Sequence, residues 1–382
     1  MKKILLFAAV GLVAVACGGK QQPTGPILLD EAAFATTLDG KTIELYTLTN
    51  ENGAVLQLTN YGCRMLSMWV PDRDGNFRDV IWGYESAGDM LAGDASSGSV
   101  VGRYGNRIDK GRFTLDSVEY QLNLNDGANH LHGGVKGWSQ KVWDGEQFID
   151  EAGNGAVKMT LVSPAGDELY PGEVTIEVTY TLTADNAVDI AYRATTDAPT
   201  VLNPTNHAYF NLHGTAAQTI LSHVLTLNAD SFTPTDSGLI PTGEIALVEG
   251  TPLDFRTPTA IGERIDSPDC EAIVFGKGYD HNWVLNKAAE GEVSVAAVVY
   301  EPSTGIELTV LTDQPGIQFY SGNFMNGTGK GKYGEVNAFR SGLALEAQHY
   351  PDSPNHPDFP TTVLRPGETY TQHTVYAFSV RK

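Results

Sequence analysis

The sequence predicts an all-β fold, a large antiparallel sandwich or barrel with few short helices. Short stretches of β-forming residues show partial alternation of apolar and polar side chains, and helical periodicity is scarce. Gly, Asn, Asp and Pro separate these stretches, and the 382 residues include 41 Gly and 19 Pro, as in a turn-rich β protein. The clearest stretches are residues 55–59, 157–162, 174–182, 293–299 and 306–311.

The first 16 residues form a predicted secretory signal peptide. Lys2 and Lys3 precede an apolar stretch at 4–16 that is too short to span a bilayer comfortably. Cys17 and a glycine-rich polar run follow, as at a bacterial lipoprotein processing site. We expect lipidation of Cys17, a flexible tether over 17–29, and export to a membrane leaflet that faces the periplasm. Secretion without a lipid and an uncleaved anchor are the alternatives.

The sequence after the tether, residues 30–382, is predicted to form one domain. Length alone leaves the domain count open, because single all-β domains often exceed the usual size. Residues 30–382 contain no internal repeat of 20–50 residues and no break in composition that would mark a second domain. We therefore predict a single catalytic domain over 30–382. The sequence does not fix the oligomeric state, and we expect a monomer.

Charge and cysteine content restrict the partners. The chain has a formal net charge of −21, which would repel nucleic acids and anionic membrane surfaces. These are therefore poor partners, and a neutral ligand is favoured. We expect membrane contact only through the lipid anchor. Besides Cys17, only Cys63 and Cys270 are present, without a CxxC or Cys/His ligand spacing. Two separate buried thiols are the expected state, although a disulfide is also possible in an oxidising compartment.

Five histidine-containing or polar segments are the candidate functional loops. None has the glycine pattern and lysine of a phosphate-binding loop, which disfavours a nucleotide cofactor. His130 and His132 could share one face of a strand and bind zinc, but no third ligand is suggested by spacing, so we predict no metal. A serine hydrolase is disfavoured because no G-x-S-x-G is present. The segments are 102–108, 129–134, 203–212, 279–282 and 345–351.

These segments and the stretch around residue 318 contain the side chains that sugar chemistry needs. Planar polar groups bind hydroxyls, aromatic rings cover the apolar face of a pyranose, and an acid/base pair acts at the anomeric centre. Each residue also has a structural interpretation, since a histidine is often only hydrogen-bonded, an asparagine can cap a turn, and a tryptophan can fill the core. The candidates are Glu346, Asp280, His207, Asn106, Arg107, Asn206, Gln318, Tyr209, Trp138, Phe319 and Tyr320.

A series of motifs, taken in order, resembles the aldose 1-epimerase (galactose mutarotase) family. The series covers nearly the whole chain after the tether, and the number and order of its motifs make coincidence improbable. The motifs are TNYG at 59–62, DVIWGY at 79–84, GRYGNRI at 102–108, NHLHGG at 129–134, NPTNHAYFNL at 203–212, YDHNWVL at 279–285, PGIQFYSGNF at 315–324, LEAQHYPDSPNH at 345–356 and RPGE at 365–368.

The resemblance implies a galactose mutarotase-like supersandwich, a large antiparallel β-sandwich with a sugar cleft on one face, and no metal or organic cofactor. By its match to the family motifs, Glu346 is the expected catalytic base and His207 the expected acid. His132 is expected near the ring oxygen. The implied sugar-binding residues are Asn106, Arg107, Asp280, Gln318 and, with a weaker match, Tyr209. His349 stands where the family more often has Asn, and we expect it to change the rim of the cleft.

The expected reaction interconverts the α and β anomers of a free aldohexose of the galactose or glucose class. The base removes the proton of the anomeric hydroxyl, the acid protonates the ring oxygen, and the opened sugar closes on its other face. A sugar-binding lipoprotein without activity and a glycoside hydrolase are the alternatives. The sequence does not say which aldose is preferred or which membrane and face carry the anchor.

Overall fold

The computed structural model describes residues 25–214 and 218–382. The predicted signal peptide, Cys17 and the tether up to residue 24 lie outside these residues. Within them, antiparallel sheets dominate and the α-helices are short, which confirms the predicted fold class. The α-helices are Glu31–Phe34, Ala87–Ala92 and Glu271–Gly276. Single 3₁₀ turns occur at Asp109–Gly111, Trp138–Gln140, Asp167–Leu169, Ile261–Glu263 and Ser353–Asn355.

The largest sheet of the described part has nine antiparallel strands. Its strand Val174–Leu182 alternates buried and half-buried residues along its whole length, as the apolar/polar alternation of the sequence predicts. In spatial order the strands are Asp144–Ile149, Gly155–Ser163, Val174–Leu182, Ala187–Thr196, Tyr370–Val380, Ile306–Thr312, Ser294–Tyr300, Val224–Leu227 and Thr259–Ala260.

A six-stranded and a four-stranded sheet complete the main architecture. The six-stranded sheet consists of Tyr209–Phe210, Leu343–Gln348, Gly316–Tyr320, Asp280–Val284, Ser231–Phe232 and Ala246–Leu247, in that order. The four-stranded sheet consists of Leu45–Thr49, Val55–Thr59, Arg64–Pro71 and Phe77–Asp79. The two-stranded ladders pair Thr36–Leu38 with Lys41–Ile43, Val100–Val101 with Thr205–Asn206, Arg107–Ile108 with His130–Leu131, Arg112–Leu115 with Val118–Gln121, and Thr200–Val201 with Val363–Leu364.

The six-stranded sheet packs one face against the nine-stranded sheet and leaves the other for the site. Leu343 and Leu345 belong to the main core, where the Tyr376 hydroxyl donates to the Leu345 carbonyl at 3.3 Å. Ala344 packs on the opposite face, in a separate cluster with Tyr209. Because side chains alternate along a strand, Glu346 lies on that same opposite face.

The chain begins to pack on the domain at the end of the predicted tether. Leu29 is already buried, and its N–H donates to the Gln57 side chain at 2.8 Å, so contacts with the domain begin at the last residue of the predicted tether.

The thiols of Cys63 and Cys270 are both free, and Cys63 is buried as expected. The expectation of a buried Cys270 is wrong, because this residue is partly exposed where the helix Glu271–Gly276 begins. None of the described helices is long and apolar enough to cross a membrane.

Candidate active site

Glu346 and His207 lie side by side in one cleft. Glu346 projects from a central strand of the six-stranded sheet, and His207 follows the short strand Thr205–Asn206. The Nε2 atom of His207 is 3.6 Å from Oε1 of Glu346, and the two side chains are 5% and 2% exposed. Neither Nδ1 of His207 nor Oε2 of Glu346 has a hydrogen-bond partner among the described residues. The pair is therefore free to exchange protons with a bound molecule.

The turn before His207 explains how its ring is held. The side chain of Asn206 accepts from the N–H of Ala208 at 3.0 Å and donates to the hydroxyl of Tyr180 at 3.1 Å. The backbone N–H of His207 donates to the carbonyl of Ser99 at 2.8 Å. Asn206 is thus a buried structural residue that fixes the turn, and the structural interpretation applies to it.

His132 and Asn106 hold each other in an unusual backbone conformation. Both have positive φ, +52° and +61°, which costs energy for residues other than glycine, although Asn and His tolerate it better than most. The N–H of Asn106 donates to Nδ1 of His132, and the N–H of His132 donates to the carbonyl of Asn106, both at 3.1 Å. Gly133 follows at a point where a Cβ would lie 1.7 Å from the carbonyl oxygen of Gly102, so only glycine fits.

The Asn106 contact also defines the proton on the His132 ring. Because Nδ1 accepts a backbone N–H, the neutral ring carries its proton on Nε2. Loss of hydration, with the nearby His207 and Arg107, lowers the pKa of His132 well below its ordinary value, which keeps the ring neutral. His132 is therefore a neutral hydrogen-bond donor in the cleft.

Arg107 and Asp280 form a charged wall of the cleft, and Gln318 supports this wall. Arg107 Nε donates to Asp126 at 2.8 Å, and its Nη1 is 4.0 Å from Asp280. The amide of Gln318 donates to Asp280 at 2.7 Å from the neighbouring strand, where Gln318 is paired with Glu346. Arg107 and Asp280 line the cleft. The hydrogen bond from Gln318 fixes the position of the Asp280 carboxylate.

The candidate aromatic residues divide between cleft and core. Tyr209 lines the cleft with its ring stacked on Trp82 at 4.9 Å between centroids, and Tyr320 also lines it. Trp138 and Phe319 were candidate rings for a sugar face, and this expectation is wrong. Both are buried in the main core, at 1% and 0% exposure, where they fill space between packed strands.

Burial sets the protonation of the Glu346 carboxyl. Loss of hydration raises its pKa from 4.5 to about 7, the positive charge of His207 offsets part of this rise, and the negative charge of Asp280 adds to it. A base is most effective when its pKa lies near the working pH. Glu346 is therefore poised to accept and return a proton near neutral pH.

The cleft has a volume of about 170 Å³, which suits a ligand smaller than the drug-sized molecules that fill roughly 300–1,000 Å³. Asp94, Ser96 and Phe324 line it but were not predicted as site residues. The only sequence signal for them is their position, because Asp94 and Ser96 lie a few residues before the motif at 102–108 and Phe324 ends the motif at 315–324.

His349 lies elsewhere, and the expectation that it shapes the cleft rim is wrong. Its Nδ1 contacts the side-chain oxygen of Gln314 at 3.0 Å in a separate pocket, lined also by Lys287 and Asp313. The strand that carries Glu346 ends at Gln348, so the chain has already left the cleft face at His349.

A metal ion is the remaining possibility for the cleft. Ligand atoms of His132, His207 and Glu346 all lie within 4.8 Å of one another, close enough for one ion to bridge them. In His132, however, Nδ1 already accepts the N–H of Asn106 and Nε2 holds the ring proton, so neither nitrogen offers a free lone pair. The donor set fits hydrogen bonding to a ligand better than metal coordination.

Known proteins resemble this chain over most of its length. The family model described as aldose 1-epimerase matches residues 44–377. The chain belongs to the aldose 1-epimerase family. It is 42% identical to the galactose mutarotase of Sus scrofa over 339 residues, which cover 89% of this chain and 95% of that protein. It is 39% identical to the aldose 1-epimerase of Escherichia coli (strain K12) over 342 residues, covering 89% and 96%.

A solved structure supports the fold assignment within the aldose 1-epimerase family. The crystal structure of an aldose epimerase homologue from C. elegans superposes with a TM-score of 0.80 at 31% identity, covering 89% of this chain and all of that one. The resemblance inferred from the motifs and the predicted sandwich fold are thereby confirmed.

Proposed function

We propose that Glu346 and His207 interconvert the α and β anomers of a free aldose by opening and closing its ring. The isomerase activity itself follows from the family to which the chain belongs. The proposal adds which residues perform it and how. The observation that carries it is the 3.6 Å separation of a carboxylate and an imidazole in one small cleft.

The two groups match the two oxygens of a hemiacetal. The anomeric hydroxyl and the ring oxygen are bonded to the same carbon, so an acid and a base that act on them together must also be neighbours. Glu346 accepts the hydroxyl proton, the bond between the anomeric carbon and the ring oxygen breaks, and the ring oxygen keeps that electron pair and takes a proton from His207. The anomeric carbon becomes an aldehyde. Each positioned transfer contributes about 10²–10⁴-fold to the rate.

Closure repeats these steps in reverse. Rotation about the bond between the first two carbons presents the other face of the aldehyde to the same hydroxyl oxygen. Glu346 then returns its proton to the carbonyl oxygen, and His207 recovers its proton from the attacking hydroxyl. The proton count of the protein is unchanged after each turnover, so no external reductant, oxidant or cofactor enters the balance.

The neighbouring residues orient the sugar. The Nε2–H of His132 donates to an acceptor oxygen, and we assign it to the ring oxygen, whose negative charge grows as the ring opens. Arg107, Asn106 and Asp280 bind the other hydroxyls, with Gln318 holding Asp280 in place. Tyr209 covers part of the apolar face of the ring.

Two alternatives predict different partners for Glu346. A glycoside hydrolase of the usual type needs a second carboxyl group at a fixed separation from the first. The cleft does contain a second carboxylate, Asp280, but it accepts from Gln318 at 2.7 Å and lies 4.0 Å from Arg107. The group 3.6 Å from Glu346 is instead the imidazole of His207. A protein that only binds sugar needs no proton-transfer pair. In such a protein, a buried carboxyl with its pKa raised to about 7 would lower the stability of the fold without contributing to function.

The test follows freshly dissolved α-galactose and α-glucose by proton NMR, with the spontaneous rate subtracted. We expect Glu346→Gln and His207→Asn each to lower kcat by roughly 10²–10⁴-fold. Exposed Glu146 and half-buried His373 form ion pairs with Lys158 and Asp189 outside the cleft. The matched controls Glu146→Gln and His373→Asn are expected to keep wild-type rates.

Three other results would overturn the assignment. Wild-type rates in both cleft variants would remove the proposed roles from Glu346 and His207. Sugar binding by the wild-type protein without faster equilibration would identify a binding protein. Release of the phenol from an aryl glycoside would identify a hydrolase.

We also propose that the protein is exported and held at a membrane by a lipid on Cys17. The support is the order of sequence features at the amino terminus: two lysines, a short apolar run, Cys17, and a polar tether. An enzyme placed in this way would act on free sugars outside the cytoplasm.

A further inference from the structure

A serine, a histidine and a glutamate lie in a row outside the cleft. The hydroxyl oxygen of Ser222 is 3.2 Å from Nε2 of His213, and Nδ1 of the same ring is 3.5 Å from Oε1 of Glu301. His213 and Glu301 are buried, whereas Ser222 is exposed. The cleft around Glu346 is lined by other residues. A molecule in solution can therefore reach the serine, while the imidazole and the carboxylate behind it are shielded from water.

Strand pairing brings these three residues together from distant parts of the sequence. Val224 pairs with Tyr300 on neighbouring antiparallel strands of the nine-stranded sheet. Ser222, just before the first of these strands, therefore lies beside Glu301, just after the second. His213 comes from the loop that follows a short strand of the six-stranded sheet. The two sheets together set the spacing of the three side chains.

His223 holds the loop that carries His213. Its Nε2 accepts the N–H of Leu212 at 2.9 Å, and its ring packs edge to face on the His213 ring with 4.9 Å between centroids. The carbonyl of Leu212 accepts from the hydroxyl of Thr304 at 2.9 Å, in the same turn as Glu301. The His213 ring is therefore held in place before any ligand binds.

The carboxylate of Glu301 is fixed and ionised. Its Oε2 accepts from the Ser303 hydroxyl at 2.6 Å and from the Thr304 N–H at 2.7 Å. Burial raises the pKa of this carboxyl, but the hydrogen bonds from Ser303 and Thr304 outweigh burial and hold the pKa below its ordinary value. Glu301 therefore carries a negative charge at neutral pH, with its Oε1 toward the ring of His213.

These contacts decide which nitrogen of His213 carries the ring proton. Nδ1 faces two acceptors: Oε1 of Glu301, and at 3.4 Å the oxygen of Ser303, whose own proton is donated to Glu301. The neutral ring therefore keeps its proton on Nδ1. Burial lowers the pKa of His213, and Glu301 and the backbone of Thr219 offset only part of this, so the ring is neutral near pH 7. Nε2 thus presents its lone pair to Ser222, as a general base does.

We propose that Ser222, His213 and Glu301 form a second catalytic site, which hydrolyses small carboxylic esters such as acetyl esters. A surface serine beside a histidine is often only hydrogen-bonded, but here a buried carboxylate also orients the ring. Hydroxyl, imidazole and carboxylate in this order activate a serine nucleophile. The missing G-x-S-x-G disfavoured a serine hydrolase, but that motif belongs to one fold, whereas such triads recur on unrelated folds. The inference is independent of the function proposed for the cleft.

The ester reaction needs only these three side chains and water. Oγ of Ser222 bonds to the ester carbonyl carbon as its proton moves to Nε2 of His213. The bond to the alcohol oxygen breaks, and that oxygen takes the proton from His213 and leaves an acyl-serine. Water then attacks the acyl carbon as His213 takes one of its protons, and this proton returns to Oγ of Ser222 as the carboxylic acid departs. Glu301 stabilises the positive charge on the ring in both steps.

The test measures release of nitrophenol from p-nitrophenyl acetate, with the spontaneous rate in buffer subtracted. The wild type is expected to accelerate release, and Ser222→Ala and His213→Asn are each expected to lower kcat/KM by roughly 10²–10⁴-fold. Because the two residues act as one unit, the double variant is expected to lose no more than either single variant. Ser237→Ala removes an exposed hydroxyl at another turn and is the matched control, expected to keep the wild-type rate.

A fluorophosphonate probe locates the nucleophile directly. We expect it to attach to Ser222 of the wild type and to react far less with His213→Asn, which keeps the hydroxyl but lacks the base. Mass spectrometry of the digested protein identifies the labelled residue. This measurement on the wild type needs no variant, so a folding defect in His213→Asn, recognised from its thermal midpoint, does not prevent a decision.

The inference fails on any of three results. These are release of nitrophenol no faster than in buffer, release that Ser222→Ala retains, and a probe adduct on a different residue. Ser222→Ala is expected to interconvert sugar anomers at the wild-type rate in the NMR assay. Absence of ester hydrolysis with intact anomer interconversion therefore overturns this inference alone and leaves the proposed function of the cleft in place.

Discussion

Replacing Glu346 with Gln should stabilise the protein at alkaline pH while it removes activity. Burial raises the pKa of the Glu346 carboxyl from 4.5 to about 7, so folding favours the protonated form. At about 1.4 kcal/mol per pKa unit, keeping this group ionised in the folded protein costs about 3 kcal/mol. Glutamine has the size and shape of the neutral acid and carries no such cost.

The direction of the shift determines the pH window. Well below pH 4.5 the carboxyl is protonated in both the folded and the unfolded chain, so Glu346 and Gln differ little. Between pH 4.5 and about 7 the unfolded chain releases its proton before the folded chain does, so the wild type loses stability as pH rises. Above about pH 7 the full cost is present. The variant should therefore exceed the wild type by about 3 kcal/mol there and by nearly nothing in acid.

Urea unfolding of both proteins at an acidic and an alkaline pH measures this difference. Comparing the variant with the wild type at each pH cancels the contributions of all other titrating groups. The control Glu146→Gln removes a carboxylate from an exposed ion pair with Lys158, where the expected change is within about 1 kcal/mol at either pH. A stability gain in Glu346→Gln that is equal at both pH values would refute the link between burial and protonation.

Three further predictions concern the pH profile, a buried ion pair and the amino terminus. Because protonated Glu346 cannot act as a base, kcat/KM should fall about tenfold per unit below a pH of about 7, and a flat profile would contradict this role. Lys332→Met leaves the buried Asp79 carboxylate without its 2.5 Å partner and should cost roughly 3–5 kcal/mol in urea unfolding. The exposed Lys330→Met is the control, expected below about 1 kcal/mol. Cys17→Ala should move the full-length protein from the membrane fraction to the soluble fraction of a bacterial host; retention would exclude the lipid anchor.

Local patterns in the sequence predict the strands well. The stretches at 55–59 and 174–182 coincide with Val55–Thr59 and Val174–Leu182, because an apolar face must repeat every second residue to meet the core. The residues at 293–299 and 306–311 shift by one position at one or both ends relative to the observed strands Ser294–Tyr300 and Ile306–Thr312. Strand ends depend on the partner strand, and a single stretch of sequence does not reveal its partner.

The sequence predicts residues of the cleft only where they lie within a family motif. Glu346 and His207 could be paired because both fall on family motifs, although 139 positions separate them in the numbering. Asp94 and Ser96 have no such signal, since they sit in a loop of small polar residues without periodicity. Trp138 was predicted for the cleft but lies in the core. A tryptophan can contact a sugar or fill a core, and residue type alone does not decide between the two. Its place was fixed by Trp143, packed edge to face at 6.0 Å.

The division between sheet and loops suggests how the reaction and the choice of substrate can vary separately. Glu346, Gln318 and Asp280 project from adjacent central strands, whose ladders of backbone hydrogen bonds fix their spacing. Asp94 and Phe324 lie on loops, and their movement would disturb no ladder. Changes at these two loop positions should therefore alter which sugar fits before they alter the proton transfers. Conversely, a shift of one residue in the pairing of the Glu346 strand would turn Glu346, the proposed base, toward the core while leaving the loops at Asp94 and Phe324 in place, and it should end catalysis.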